Sequence, residues 1–221
     1  MLSTSGLRHT YRGGAEFSFP DIDCGAGDTL LILGRSGVGK STLLHILAGI
    51  LVPEHGSVSL DALSLYDQSP AKLDQYRGQH IGLIFQRPHF VQSVSARENL
   101  FLAQQMASNK KDSSKVNHLL AQLHIDHRAE AKTHTLSQGE QQRLSIARAL
   151  VNAPKLILAD EPTSALDDDN CMEVTRLLSD QAKAAQAALV IVTHDNRLKD
   201  CLLYTSPSPR DQRGSRMPSS A

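Results

Sequence analysis

Residues Gly34 to Thr42 read GRSGVGKST, and this stretch is the strongest indication of the fold. It matches the pattern G-x-x-x-x-G-K-[S/T] of a P-loop, whose backbone N–H groups surround phosphate oxygens. An apolar run, TLLIL at 29–33, directly precedes the loop and predicts a strand buried on both faces, and residues 40–51 have helical character. A P-loop requires this strand–loop–helix context, which a chance glycine-rich turn would not supply. The sequence therefore predicts a nucleotide-binding α/β domain.

The residue types within the loop suit phosphate chemistry. Its three glycines predict a tightly curled backbone, and the helix that follows points its positive end at the same anion. Lys40 supplies a mobile positive charge for the β- and γ-phosphates, Ser41 offers a hydroxyl to Mg²⁺, and Thr42 is placed near the α-phosphate. The candidate nucleotide-contacting residues of the loop are Gly34, Ser36, Gly37, Gly39, Lys40, Ser41 and Thr42.

A second motif places two carboxylates at the end of an apolar strand. Residues 156–159 read LILA and are followed by Asp160 and Glu161. Strands of open α/β sheets deliver such groups to the edge where ligands bind. Asp160 suits the Mg²⁺ shell, and Glu161 is the candidate that orients and polarises the attacking water. The alternative interpretation is that the two acidic residues only end a strand before a turn. The presence of a P-loop in the same chain disfavours this interpretation.

Composition excludes several classes of function. The 221 residues contain 23 Lys plus Arg and 23 Asp plus Glu, so no global basic field indicates a nucleic-acid partner. The three cysteines are widely spaced and odd in number, which is typical of a reduced cytosolic chain. No apolar run approaches the roughly 20 residues of a membrane helix. Any membrane-spanning part must therefore belong to another subunit.

The order of segments predicts the architecture. Residues 2–24 read as two antiparallel strands with a turn, and later strands alternate with helices, which indicates a mainly parallel sheet. Residues 89–153 contain helices and no clear strand, so we expect a helical insert there. From 201 the composition shifts to Ser, Pro and Arg, and CLLYTSPSPRD at 201–211 is similar to a translated sequencing-library adapter. We expect an ATPase domain over 1–200, truncated at its end, and a disordered tail of artefactual origin over 201–221.

A third motif identifies the class of nucleotide-binding protein. Residues 136–143 read LSQGEQQR and open a helix that leads to the acidic strand. Here the chain resembles the ABC ATPase family, whose signature is LSGGQ, with Gln138 and Glu140 as departures. The resemblance implies the ABC-ATPase version of the P-loop fold. It also implies that Ser137 and Gly139 contact the γ-phosphate held by the P-loop of a second subunit.

Four further positions match the order of motifs in the ABC ATPase family. The resemblance assigns Gln86 to the glutamine that senses Mg²⁺ and water, and His194 to the histidine that bonds the γ-phosphate. It assigns Asp167, in the segment SALD, to the loop that crosses the dimer interface. Tyr11 lies where the family stacks an aromatic ring on adenine, although a strand tyrosine is often a core residue.

The resemblance covers residues 2–200 and is greatest to the lipoprotein-release and macrolide-export branch. It implies an ATP hydrolase that uses ATP and Mg²⁺, pairs head to tail with a second ATPase subunit around two ATP molecules, and drives a separate membrane permease. The implied task is export or the release of envelope substrates, and the implied location is the inner face of the cell membrane. No nucleic-acid partner is expected.

Two alternatives stay open at the level of sequence. One is a non-transport ABC ATPase of the repair or translation type, which would need a long coiled coil or two ATPase halves on one chain. The other is a homologue that binds ATP with little hydrolysis, which the presence of Glu161 and His194 disfavours.

Overall fold

The computed structural model describes residues 1–11, 14, 16–164, 166, 168–195 and 197–198, without the side chain at 169. The strands are β1 Leu2–Thr10, β2 Glu16–Ser18, β3 Asp23–Cys24, β4 Thr29–Leu33, β5 His55–Leu60, β6 Leu63–Ser64, β7 Ile81–Ile84, β8 Leu156–Asp160 and β9 Ala188–Thr193. The helices are α1 Lys40–Leu47, α2 Pro70–His80, α3 Ala96–Met106, α4 Ser113–Gln122, α5 Gln138–Leu150 and α6 Asp168–Ala184. Short 3₁₀ turns cover Asp126–Arg128 and Thr133–Thr135.

A four-stranded parallel sheet in the order β4-β9-β8-β7 forms the centre of the fold. Leu33 pairs with Thr193, Asp160 pairs with Val192, and Ala159 pairs with Ile84. Because all four strands run the same way, their carboxyl ends meet at one edge of the sheet. The P-loop, the Asp160–Glu161 pair and His194 all follow strands that end there.

Side chains of the central strands alternate between two hydrophobic cores. Leu156 and Leu158 pack in the core shared with α1 and the antiparallel strands, whereas Ile157 and Ala159 pack in the core shared with α3 to α6. Because both faces of β8 and β9 are covered by an apolar core, the residues on either face are apolar up to the last residue of each strand. The two strands therefore read as continuous apolar runs in the sequence. The strand β4 differs from its prediction, because only Ile32 is buried. Among the described strands β4 pairs with β9 alone, which leaves it at an edge.

The second sheet is antiparallel and holds the first strands of the chain. Its order is β2-β1-β5-β6, and β3 also pairs with β1. This confirms the predicted antiparallel subdomain, with β5 and β6 added to it. Residues 2–24 form three strands rather than the predicted two, because both β2 and β3 pair with β1. The sheet brings β2 against the P-loop, and Phe17 of β2 lies beside Gly39.

The predicted helical insert consists of α3, α4 and α5, between β7 and β8. Ser95 caps α3 and Ser137 caps α5, and in each case a Glu three residues later accepts a hydrogen bond from the cap backbone N–H. Such capping boxes satisfy the free N–H groups of a helix start. The bounds 89–153 and the extent of the domain over 1–200 stay predictions. The expected tail at 201–221 lies outside the described residues.

Helix α2 was absent from the prediction. It buries only Leu73, so its sequence lacks the apolar periodicity that marks a surface helix. The available signal was Ser69–Pro70, because a serine followed by proline is typical of an N-cap and first helical position. Within the described residues, no helix has the length and apolar character needed to cross a membrane.

Gly82 and Gly78 should respond oppositely to alanine. A Cβ on Gly82 of β7 would lie 2.5 Å from the Ala149 backbone oxygen of α5, so Gly82→Ala should destabilise by about 1–3 kcal/mol. A Cβ on Gly78, inside α2, would meet its nearest neighbour at an ordinary 3.4 Å, so Gly78→Ala should stabilise by about 0.5–1 kcal/mol. Urea unfolding of both variants measures the difference. Equal effects would contradict the close packing of α5 on β7.

Candidate nucleotide-binding site

A cavity of about 300 Å³ opens at the carboxyl edge of the parallel sheet. It brings together residues from the P-loop, β2 and the ends of β7, β8 and β9. The lining residues are Phe17, Ser36, Gly37, Gly39, Lys40, Ser41, Thr42, Gln86, Asp160, Glu161 and His194. Most of the sequence-predicted site residues therefore meet in one place, although they are up to about 160 positions apart in the chain.

Two glycines give the P-loop its shape. Gly37 has φ 86° and Gly39 has φ 91°, which is the left-handed region where side chains are strained. A Cβ on Gly39 would also lie 2.6 Å from the Phe17 ring. Gly34 has no such φ and does not line the cavity; its backbone oxygen is instead an acceptor for Lys40. A Cβ on Gly34 would lie 3.0 Å from Val38 Cγ2, so the loop also passes close to this glycine. The roles of the three glycines in the curl and in nucleotide contact stay predictions.

The ammonium group of Lys40 is held inside the loop. Its Nζ donates to the backbone oxygens of Gly34 at 2.8 Å and Arg35 at 3.1 Å. It also lies 3.5 Å from Glu161 Oε1, and the lysine is 6% exposed. A buried ammonium group needs such partners, because removing an unpaired charge from water costs on the order of several kcal/mol. The charge is thereby kept at the cavity.

Glu161 lies at the centre of the charged groups. Its φ of 48° is unusual for a residue other than glycine, and its backbone N–H donates to the Val192 oxygen at 2.9 Å. Oε2 accepts from Thr193 Oγ1 at 2.7 Å, and Oε1 accepts from the His194 backbone N–H at 3.0 Å. Strained backbone of this kind persists where surrounding contacts fix it, and it concentrates at functional sites.

The environment of Glu161 favours its ionised form. Burial by itself would raise the pKa of the carboxyl, but the hydrogen bonds from Thr193 and His194 outweigh it, and the pKa is lowered from 4.5. Glu161 is therefore a carboxylate at neutral pH, which is the form that can accept a proton or orient water.

His194 contacts the same carboxylate through its side chain. Its Nδ1 lies 2.8 Å from Glu161 Oε1, and 54% of the side chain is exposed. The ring therefore bridges the buried carboxylate and the open cavity. This position suits a group that meets an incoming phosphate.

Oxygen donors for a magnesium ion lie on the same cavity. Ser41, Gln86 and Asp160 all line it, and a hydroxyl, an amide oxygen and a carboxylate are ligands that Mg²⁺ prefers. The donor set therefore fits the predicted ion. Among the described residues no cluster of three or more His, Cys, Asp or Glu side chains could hold a metal ion by itself.

The aromatic side of the site differs in detail from the prediction. The Tyr11 hydroxyl lies 3.1 Å from Thr42 Oγ1, and the residue is 44% exposed, but Phe17 rather than Tyr11 lines the cavity. The Tyr11 and Phe17 rings meet edge to face with centroids 6.1 Å apart. Sequence reasoning missed Phe17, since only the pairing of β2 with β1, with Phe17 opposite His9, brings it to the P-loop. Adenine stacking by Tyr11 stays a prediction.

The signature residues lie outside this cavity. Ser137 Oγ accepts from the Glu140 N–H at 3.3 Å, and Glu140 Oε2 accepts from the Ser137 N–H at 2.7 Å. Arg128 Nε lies 3.2 Å from Glu140 Oε1 and balances its charge. Ser137 and Gly139 are not among the cavity residues of the described chain. Asp167 lies outside the described residues.

The fold and the site define a class. A P-loop on a parallel sheet, an acidic pair at the neighbouring strand end, and a serine-capped signature helix in a helical insert describe an ATP-binding cassette. A family model described as "ABC transporter" matches residues 20–164. The chain belongs to the ABC transporter family.

Individual relatives agree with this assignment. The lipoprotein-releasing system ATP-binding protein LolD of Psychrobacter arcticus is 40% identical over 181 residues, covering 80% of either chain. The macrolide export ATP-binding/permease protein MacB of Escherichia coli is 37% identical over 204 residues, which are 90% of this chain. The matched part is 31% of that relative's length. The dimeric structure of MJ0796, a bacterial ABC transporter cassette, has a TM-score of 0.81 at 30% identity and covers 91% of each chain.

The lowered pKa of Glu161 predicts a pH dependence of stability. The unfolded carboxyl titrates near 4.5 and the folded one below it, so the contribution is complete above 4.5 and is lost as pH falls through the folded value. The difference in unfolding free energy between the parent and Glu161→Gln should therefore shrink as pH falls from neutral to below 4.5. Urea unfolding across this range measures it. A constant difference would contradict the lowered pKa.

Proposed function

We propose that the chain binds ATP with Mg²⁺ in this cavity and hydrolyses it as the ATPase subunit of a transporter. The observation that carries the proposal is the single cavity that joins Lys40, Asp160, Glu161 and His194. Phosphoryl transfer to water uses a cation at the phosphates, ligands for Mg²⁺ and a residue that orients the attacking water, and these groups are all present on the cavity.

The residues of this chain divide the work. The P-loop N–H groups and Lys40 hold the phosphates, and Ser41, Gln86 and Asp160 hold the ion, which neutralises phosphate charge when bound. Glu161 orients the attacking water and accepts its proton. Lys40 Nζ lies 3.5 Å from Glu161 Oε1. A γ-phosphate that enters between them would replace the carboxylate as the partner of the ammonium group. His194 Nδ1 bonds the carboxylate, and the exposed ring meets the phosphate.

A second copy completes the site. Ser137 and Gly139 belong to a helix start that suits an anion, yet they do not line the cavity of their own chain. We infer that they close over the nucleotide held by a second copy, head to tail, with Asp167 at the interface. The similar cassette MJ0796 has been described as a dimer and in a post-hydrolysis dimeric state bound to ADP and Pi, which supports this arrangement.

The hydrolysis cycle drives a separate membrane permease. Relatives are named for lipoprotein release and for macrolide export, and the second of these names includes a permease. We infer export or release of an envelope substrate, with the chain held on the inner face of the membrane by its permease. Gln86 follows β7 and borders the helical insert, so closure around ATP can pull on a partner docked there.

Separate substitutions should divide binding from hydrolysis. Glu161→Gln should keep ATP·Mg²⁺ binding and lower kcat by about 10²–10⁴-fold, because it removes the base and leaves the phosphate contacts intact. Lys40→Ala should abolish binding, since it removes the cation. Titration with a fluorescent ATP analogue and a phosphate-release assay measure the two properties. Parent-level turnover by Glu161→Gln would contradict the proposed base.

Two serine caps provide a matched test of the signature. Ser95→Ala and Ser137→Ala remove equivalent capping hydroxyls from α3 and α5, and each should cost about 0.5–2 kcal/mol of stability. Only Ser137→Ala should lower kcat, because only Ser137 meets the nucleotide of a second copy. Thermal unfolding and steady-state kinetics on both variants measure this. Equal losses of turnover would show that destabilisation alone lowers the rate.

A further inference from the structure

We propose that Thr193 is a positioning residue that holds the Glu161 carboxylate in its working orientation. The inference deepens the proposed function and rests on it. Thr193 is the last residue of β9 and is fully buried. It does not line the cavity, so it acts on the reaction through another group.

The first contact joins the threonine hydroxyl to the proposed base. Thr193 Oγ1 donates to Glu161 Oε2 at 2.7 Å, an ordinary distance for an O–H···O hydrogen bond. A bond of this kind to an ionised carboxylate is stronger than one between neutral groups. Oε1 is meanwhile the oxygen that faces His194 and Lys40. The threonine therefore fixes one carboxylate oxygen and leaves the other for the reacting groups.

A second contact fixes the direction of the hydroxyl proton. The Asp195 backbone N–H donates to Thr193 Oγ1 at 2.9 Å. A hydroxyl has one proton and two lone pairs, so an N–H directed at the oxygen leaves the proton free to point at Glu161. Asp195 is itself held by Arg197, whose Nη2 lies 2.6 Å from Asp195 Oδ2. The donor is thus pre-oriented by the turn after β9.

A third contact ties the same residue to the P-loop. The Gly34 backbone N–H donates to the Thr193 oxygen at 3.1 Å, at the end of the β4–β9 pairing. The φ of 48° at Glu161 lies in a sparsely populated region, so this residue needs fixed neighbours to hold its conformation. The contact with Gly34 fixes Thr193 as one such neighbour. Thr193 therefore links the loop that holds phosphate to the carboxylate that activates water.

Loss of the Thr193 hydroxyl should lower the turnover rate and leave ATP binding unchanged. Without the hydroxyl, Oε2 keeps only the longer, 3.3 Å contact from the His194 backbone N–H, so the carboxylate is held less firmly toward the water. We expect nucleotide contacts to be unaffected, since Thr193 does not line the cavity and a side-chain substitution keeps its backbone contact with Gly34. A misplaced base lowers the rate of the chemical step and leaves ATP affinity unchanged.

The test compares Thr193→Val with Thr193→Ser in the full chain. Valine keeps the branched shape and removes the hydroxyl, and serine keeps the hydroxyl and removes a methyl. We expect Val to lower kcat by about 10- to 100-fold with KM within about twofold, and Ser to stay within about threefold of the parent. Thermal unfolding checks that both fold. If Val unfolds, Thr193→Cys, whose thiol is a weak donor, replaces it with the same expected loss.

Combination with Glu161→Gln separates this inference from the proposed function. If Thr193 acts through Glu161, Thr193→Val should change the residual rate of Glu161→Gln by less than about twofold. A parent-level kcat for Val, equal losses for Val and Ser, or a further full loss in the double variant would overturn the positioning role. If instead the parent hydrolyses no ATP, the proposed function fails and the inference fails with it.

Discussion

The site depends on the parallel pairing of β4, β9 and β8. Leu33 opposes Thr193 and Asp160 opposes Val192. The P-loop, His194 and the Asp160–Glu161 pair therefore lie next to one another at the carboxyl edge of the sheet. A one-residue slip in either pair would turn the alternating side chains to the wrong core. The hydrophobic alternation therefore fixes the register, and the register places the charged groups within reach of one another.

Burial of those charged groups creates the second constraint. Lys40 and Glu161 are both nearly buried and lie 3.5 Å apart, and each has further hydrogen-bond partners. Removing one partner of such a pair leaves the other charge uncompensated. The ion pair thus keeps both charged groups at the cavity and restrains Glu161. An entering phosphate would replace the contact of Lys40 with Glu161 by a contact of Lys40 with the phosphate. Thr193 and His194 keep the carboxylate in place during that exchange.

Much of this arrangement could be predicted from the sequence. The P-loop and the apolar runs before Gly34 and Asp160 specify buried strands with functional residues at their ends, so the parallel sheet and most cavity residues were anticipated. Phe17 and Thr193 could not be found this way, because their roles arise from pairing between distant strands and leave no local motif. Helix α2 was missed since its one buried residue, Leu73, makes no apolar periodicity.

One chain holds an incomplete site, and we infer that a second copy closes it when ATP binds. Sedimentation velocity of the Glu161→Gln chain, with and without ATP·Mg²⁺, tests this directly, because slow turnover preserves the closed state. We expect a monomer without nucleotide and a dimer with it. We also expect that adding Gly139→Asp prevents dimerisation, since a carboxylate would repel the γ-phosphate. A chain that stays monomeric at saturating ATP, or a dimer that forms regardless of both ATP and Gly139→Asp, would contradict closure of the site by a second copy.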